Sequence, residues 1–217
     1  MRFVNREATL TDEPQRLVSE RGQPTWEVAY LFPYQGNWTE ADYLALDTNR
    51  PIELFDGCLE FLPMPTILHQ LIAQFLFGLL DAFVRGHVPG KVILAPCPVR
   101  LGPGQFREPD VFYLRPERIV DLREPPEGAD LLMEVVSPGA ENRQRDLEEK
   151  RAEYARARIP EYWIVDSEQQ QITVLVLDGT AYRVHGTFGP GTEATSVVLP
   201  GFRVAVTDVF AAAQLNS

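Results

Sequence analysis

Leu131-Leu132-Met133-Glu134-Val135-Val136 is a short apolar run with one carboxylate in its middle, bounded by Asp130 and by Ser137-Pro138. Such a run between turn formers reads as a buried strand. An isolated carboxylate there is costly to ionise, so Glu134 needs a cation, a hydrogen-bond donor or a proton. Upstream, Asp110 opens a second apolar run, Val111-Phe112-Tyr113-Leu114. Neighbouring strands lie about 4.8 Å apart, so Asp110 and Glu134 can converge on one point. Downstream, a helix is expected over residues 142–158, stopped by Pro160. On it Arg143, Leu147, Lys150, Tyr154 and Ala157 recur at spacings of four and three and share one face. Glu148, Glu149, Glu153 and Arg156 point elsewhere. Lys150 is thereby expected to face the sheet. An inward lysine needs an anion, and Glu134 is the nearest one in sequence.

Around this centre the chain reads as one domain with an extension. Residues 1–38 begin polar and end aromatic, with Trp26, Tyr30, Phe32, Tyr34 and Trp38 interrupted by Pro24, Pro33 and Gly36. They read as an N-terminal extension over a domain spanning 39–210, with 211–217 as a tail. Thr39 before Glu40-Ala41-Asp42 is an N-cap pattern for a short helix. Ile52–Phe55 and Cys58–Leu62 flank Asp56-Gly57, a strong hairpin signal. From 67 to 85, Leu68, Leu71, Ile72, Phe75, Leu76, Leu79, Leu80 and Phe83 recur at helical spacing. Val92–Ala95 and Val99–Leu101 read as strand pieces, with Gly102-Pro103-Gly104 turning the chain toward Asp110. Residues 115–129 read as a loop with one helical turn. Tyr162–Asp166 is a strand, and Gln171–Leu177 with Ala181–Phe188 is a hairpin around Asp178-Gly179. Short strands are expected near Val197–Leu199 and Arg203–Val206.

Composition narrows the class. The hydrophobic fraction of 45% over 217 residues supports a real core. No apolar run is expected to reach the roughly 20 residues of a membrane span. Met1 is not followed by a basic segment and an apolar stretch, so no signal peptide is expected. Cys58 and Cys97 are far apart and in no metal-like spacing, which fits reduced cysteines in a cytoplasmic protein. A net charge of -11 argues against coating nucleic acid by bulk electrostatics. It leaves room for an enzyme whose acidic site is neutralised by bound cations.

The ordered set of motifs carries a resemblance. Ile52-Glu53-Leu54-Phe55-Asp56-Gly57, His69 at a helix start, Glu108-Pro109-Asp110-Val111 and Glu134-Val135-Val136-Ser137-Pro138 come in that order. Asp146 to Lys150, Tyr154 and Ile159-Pro160-Glu161-Tyr162-Trp163-Ile164-Val165-Asp166 follow. Together they resemble the Uma-two family of restriction-endonuclease-like proteins, within the PD-(D/E)XK nuclease superfamily. The resemblance implies an α+β fold: a restriction-endonuclease-like core, a mixed β-sheet flanked by helices, with additional β-hairpins. It implies Asp110 and Glu134 as metal ligands. Val136 stands where the superfamily motif carries its lysine, and Lys150 on the next helix is the implied replacement.

Two acids and one lysine at one point suit metal-assisted phosphodiester hydrolysis. The expected activity is that of a metal-dependent endonuclease acting on nucleic acid, with DNA the expected substrate. Hard carboxylate oxygens suit Mg²⁺ or Mn²⁺. Lys150 would orient water or stabilise the transition state, and Glu53 and His69 are further site candidates. No membrane partner is expected, and a homodimer is, because the aromatic extension and late hairpins offer more apolar surface than one domain covers. The alternative is a non-catalytic interaction or regulatory module that keeps the fold around a structural Glu134–Lys150 ion pair.

Overall fold

The computed structural model describes residues 32–48, 50–137 and 145–213. The first 31 residues of the expected extension and the last four of the tail lie outside them, as do Arg143 and the start of the expected second helix.

The chain builds two main sheets. In order come α1 (Glu40–Leu44), β1 (Ile52–Phe55), β2 (Cys58–Phe61), α2 (Ile67–His87), β3 (Lys91–Leu94), β4 (Val99–Gly102), β5 (Gln105–Arg107) and β6 (Val111–Leu114). After a 3₁₀ turn at Pro116–Arg118 come β7 (Leu131–Val135), a π-helical turn (Arg145–Glu149) and α3 (Lys150–Arg156). The chain closes with β8 (Glu161–Asp166), β9 (Gln171–Asp178), β10 (Ala181–Phe188), β11 (Glu193–Thr195), β12 (Arg203–Ala205) and α4 (Val206–Ala211). The larger sheet runs β10-β9-β8-β7-β6-β3, antiparallel except for the β7–β8 pair. The smaller runs β2-β1-β5-β4 and is antiparallel throughout. The expected α+β class with a mixed sheet, helices and extra hairpins is what forms.

Period-two alternation sorts the large sheet's side chains. Val111, Tyr113, Leu131, Met133, Val135, Trp163 and Val165 share a core with Ile72, Leu76 and Leu80 of α2. Phe112, Leu114, Leu132, Val136, Tyr162 and Ile164 form the other core, with Tyr154 and Ala155 of α3. Glu134 lies in the second set by parity. By length and composition α2 could cross a membrane, which corrects the expectation that no run reaches that size. Here its buried stripe, Ile72, Ala73, Leu76, Leu80 and Val84, packs in the first core.

The β1–β2 hairpin turns through Asp56 and Gly57 with φ of 47° and 77°, which only a type I′ turn asks of both positions. A Cβ on Gly57 would lie 2.6 Å from the Gly36 carbonyl oxygen, because residues 36–38 lie against this turn. The Gly36 and Trp38 N–H groups donate to the Gly57 carbonyl.

Four local features differ from expectation. Strand β5 has too short a run to carry a period, and β1 recruits it through the Leu54–Phe106 and Phe55–Gln105 pairs. The second helix is α-helical only from Lys150, after the π turn. The late strand sits at Glu193–Thr195 instead of 197–199. There the buried Glu161 carboxylate captures the Val197 and Val198 N–H groups at 2.6 and 2.8 Å, and its other oxygen accepts the Trp163 indole N–H at 2.7 Å. The expected strand over 203–206 forms as β12 over Arg203–Ala205, and only Val206 passes into α4. Replacing Glu161 with Gln puts an NH₂ where a carboxylate oxygen accepts, leaving buried donors unpaired. We expect a loss of about 2–3 kcal/mol, read as a lower urea midpoint at unchanged m-value.

Candidate active site

Sheet register brings the two acids together. Val111 pairs with Met133 and Phe112 with Leu132, so continuing one step past β6 sets Asp110 across from Glu134 on the α3 side. The Asp110 Oδ2 accepts the Val135 N–H at 2.7 Å. From the first turn of α2, His69 Nε2 lies 3.2 Å from the same oxygen. The Thr66 hydroxyl caps that turn by accepting the His69 N–H. Asp110 Oδ1 takes no hydrogen bond from the described residues, and His69 Nδ1 is buried without one.

Lys150, the first residue of α3, donates to Glu134 Oε1 at 2.9 Å. The Tyr154 hydroxyl, one turn on, donates to the same oxygen. Burial, then the Glu134 charge, pushes the Tyr154 pKa well above its ordinary value, so it stays a neutral donor. The chain has two lysines among its 20 basic residues, Lys91 and Lys150. Lys91 is exposed, while Lys150 is 3% exposed.

Asp110, Glu134, Lys150 and His69 all line one cavity of about 310 Å³. Glu108, Gln70, Ser137 and Arg50 share its wall, and Leu62, Pro63, Met64 and Pro65 form an apolar side. Glu53 does not open into it. That carboxylate is fully buried: Oε2 accepts from Arg107 at 2.7 Å, Oε1 accepts the Glu108 N–H at 2.8 Å, and Lys150 Nζ is 4.0 Å away. Burial drives its pKa up, but Lys150, Arg107 and the Glu108 N–H outweigh burial and hold it below the ordinary value.

Two site residues went unread in the sequence. Glu108 enters the sequence reading only through the Glu108-Pro109-Asp110-Val111 motif, yet it lines the cavity. Burial and the Glu53 charge push its pKa up to about 7, with Lys150 opposing. Arg107 is 1% exposed and holds Glu53, Glu60 and Glu153 together. A lone basic residue before Glu108-Pro109-Asp110 carries no periodic signal of burial, because its partners lie 46 to 54 positions away. Glu153 was expected to point away from the sheet; it is buried against Arg107 instead. For His69, burial lowers the pKa, and the Asp110 hydrogen bond and charge more than reverse that.

Six carboxylates, Glu53, Glu60, Glu108, Asp110, Glu134 and Glu153, thus surround two basic side chains, Arg107 and Lys150. Among the described residues no group of three or more His, Cys, Asp or Glu side chains is placed to hold a metal ion together. The donor set instead fits a hard ion bound through one or two carboxylates and completed by water, the usual manner of Mg²⁺.

A mixed sheet that sets an aspartate and a glutamate from adjacent strands beside a lysine on the next helix has the restriction-endonuclease-like architecture. A crystal structure described as that of "a putative nuclease" from Anabaena variabilis is similar, with a TM-score of 0.67 and 17% identity over 81% of this chain and 99% of that one. That likeness carries the fold. The Uma2 family, described as "Putative restriction endonuclease", matches residues 40–207, and the chain belongs to it. No curated protein matches the sequence.

Proposed function

We propose that the chain is a divalent-metal-dependent endonuclease that hydrolyses phosphodiester bonds of nucleic acid, with DNA its substrate. The observation that carries this reading is the convergence of Asp110, Glu134 and Lys150 on one cavity of a restriction-endonuclease-like fold. Asp110 and Glu134 would hold Mg²⁺ or Mn²⁺. When bound, such an ion supplies Lewis acidity, lowering the pKa of water and neutralising phosphate charge.

The chain's own residues do the rest. The Val135 N–H and His69 fix the rotamer of Asp110 through one oxygen. Lys150 and Tyr154 do the same for Glu134. Lys150 also brings a fixed ammonium to the cavity wall, where it can donate to a phosphoryl oxygen as negative charge builds in the transition state. Its position is set before substrate arrives, which avoids reorganisation during the reaction.

Activity tests this directly. Purified protein with Mn²⁺ or Mg²⁺ should nick supercoiled plasmid, and Asp110→Asn, Glu134→Gln and Lys150→Met should each lose at least about 100-fold in rate. Single-stranded DNA and RNA run in parallel define the substrate. No cleavage of any of the three by the wild type would remove the reading.

One observation favours a second reading. Glu134 and Lys150 are each 3% exposed and bonded to one another, which suits a non-catalytic interaction module locked by an ion pair. Metal-linked melting separates the two.

We also propose a homodimer. Phe61, Met64, Ile67 and Leu68 leave an exposed apolar edge along the end of β2 and the start of α2, a surface suited to pairing. Light scattering should give twice the chain mass; monomer alone at high concentration would refute it.

A further inference from the structure

We propose that Arg107 is a positioning residue for Lys150, acting through Glu153 and Glu53. The catalytic consequence rests on the endonuclease reading; the positioning itself rests on geometry. The Arg107 guanidinium joins three elements. Its Nη1 donates to Glu53 of β1 at 2.7 Å and to Glu60 of β2 at 2.5 Å. Its Nε and Nη2 donate to the two oxygens of Glu153 on α3 at 2.8 and 2.9 Å. The ring of Phe55 lies 5.0 Å beneath the guanidinium carbon.

This fork sets where α3 lies. The helix has seven residues and follows a π turn, so its own propensity does little to place it. A planar, two-bond grip on Glu153 defines both the rotation and the height of the helix. Glu153 lies three residues after Lys150, on a neighbouring part of the same surface. Fixing one therefore fixes the other.

Arg107 acts on Lys150 from a second side. It holds Glu53 so that Oε1 lies 4.0 Å from the Lys150 ammonium. The ammonium is thus held between Glu134 at 2.9 Å and Glu53. One guanidinium orders both the helix that carries the lysine and one of the two carboxylates that face it among the described residues. A lysine at position 107 would keep the charge but not the planar fork.

The presence of only two lysines makes a direct test possible. Protein labelled with ¹⁵N-lysine has two side-chain ammonium resonances. The Lys150 signal should be protected from exchange, unlike that of exposed Lys91, and should vanish in Lys150→Met. Glu153→Gln and Arg107→Gln, neither of which adds a lysine, should shift or broaden it at a temperature where both variants are folded. They should also lower kcat on nucleic acid by about 10- to 100-fold with KM and the Mn²⁺ binding midpoint unchanged.

Leu80→Ala, in the core on α2, is the control: it should lower the melting temperature and leave the Lys150 resonance and kcat in place. The proposal is overturned if Glu153→Gln and Arg107→Gln melt earlier with the Lys150 resonance unmoved. It is also overturned if the wild-type Lys150 signal exchanges as fast as that of Lys91. A wild type that cleaves nothing removes the endonuclease reading, and the ammonium resonance alone then decides the role of Arg107.

Discussion

Arg107→Met is expected to destabilise the fold by about 3–5 kcal/mol at neutral pH, the usual cost of leaving buried charge without its partner. In a chain of this size that is a fall of roughly 10 °C in melting temperature. The substitution keeps most of the side-chain volume, so cavity formation adds little. What it removes is the only basic group that bridges Glu53, Glu60 and Glu153 in the described structure.

The pH dependence gives this effect its own signature. Glu53 has a folded pKa below its ordinary 4.5, so its ion pairs contribute stability above that value. The contribution is lost as pH falls through the folded pKa. In the variant Glu53 lacks one of the two cations that hold its pKa down, so its carboxyl takes a proton more readily. Wild type and variant should therefore draw closer in stability as pH drops from 7 toward 4. Urea melts across that range measure the difference. A constant gap would mean that Arg107 acts by filling space and by neutral hydrogen bonding, not by charge.

The second large effect is metal-linked melting. An ion that binds the folded site and not the open chain should stabilise by about 2.7 kcal/mol at one hundred times its dissociation constant. That corresponds to a rise of roughly 5–10 °C with Mn²⁺. Asp110→Asn should lose most of this gain. Without metal, the same variant should be at least as stable as the wild type, since one of two facing carboxylates is neutralised. Lys150→Ala should behave in the opposite way: less stable without metal, because Glu134 and Glu53 lose their shared cation, yet still stabilised by Mn²⁺. If the wild type gains nothing from the ion and Asp110→Asn melts as the wild type does, the site is a structural ion pair and the interaction-module reading stands.

Much of this architecture is written in local patterns. The apolar run around Glu134, the Asp56-Gly57 turn and the helical stripe from Leu68 to Phe83 each depend on contacts within a few residues. Strand β7, the β1–β2 hairpin and α2 were therefore legible. The facing of Asp110 and Glu134 was legible for the same reason: parity within each strand decides the face, and only one pairing of the two runs remained to be supplied. The inward face of Lys150 followed from helical spacing to Tyr154.

Arg107, Glu153 and Glu108 were not legible, and neither was the sealed position of Glu53. Their surroundings come from segments 46 to 55 residues apart in the chain, and no local period records which charge will meet which. Burial of a charged side chain is settled only when the β1–β2 hairpin, β5 and α3 close on one another. The chain order thus specified the strands, the long helix and the acids that face a lysine. The small sheet's docking against α3 decided which carboxylates open to the cavity and which are held behind it by Arg107. The reason is that the energy of a buried charge depends on its three-dimensional neighbours, whereas strand and helix patterns depend on neighbours along the chain.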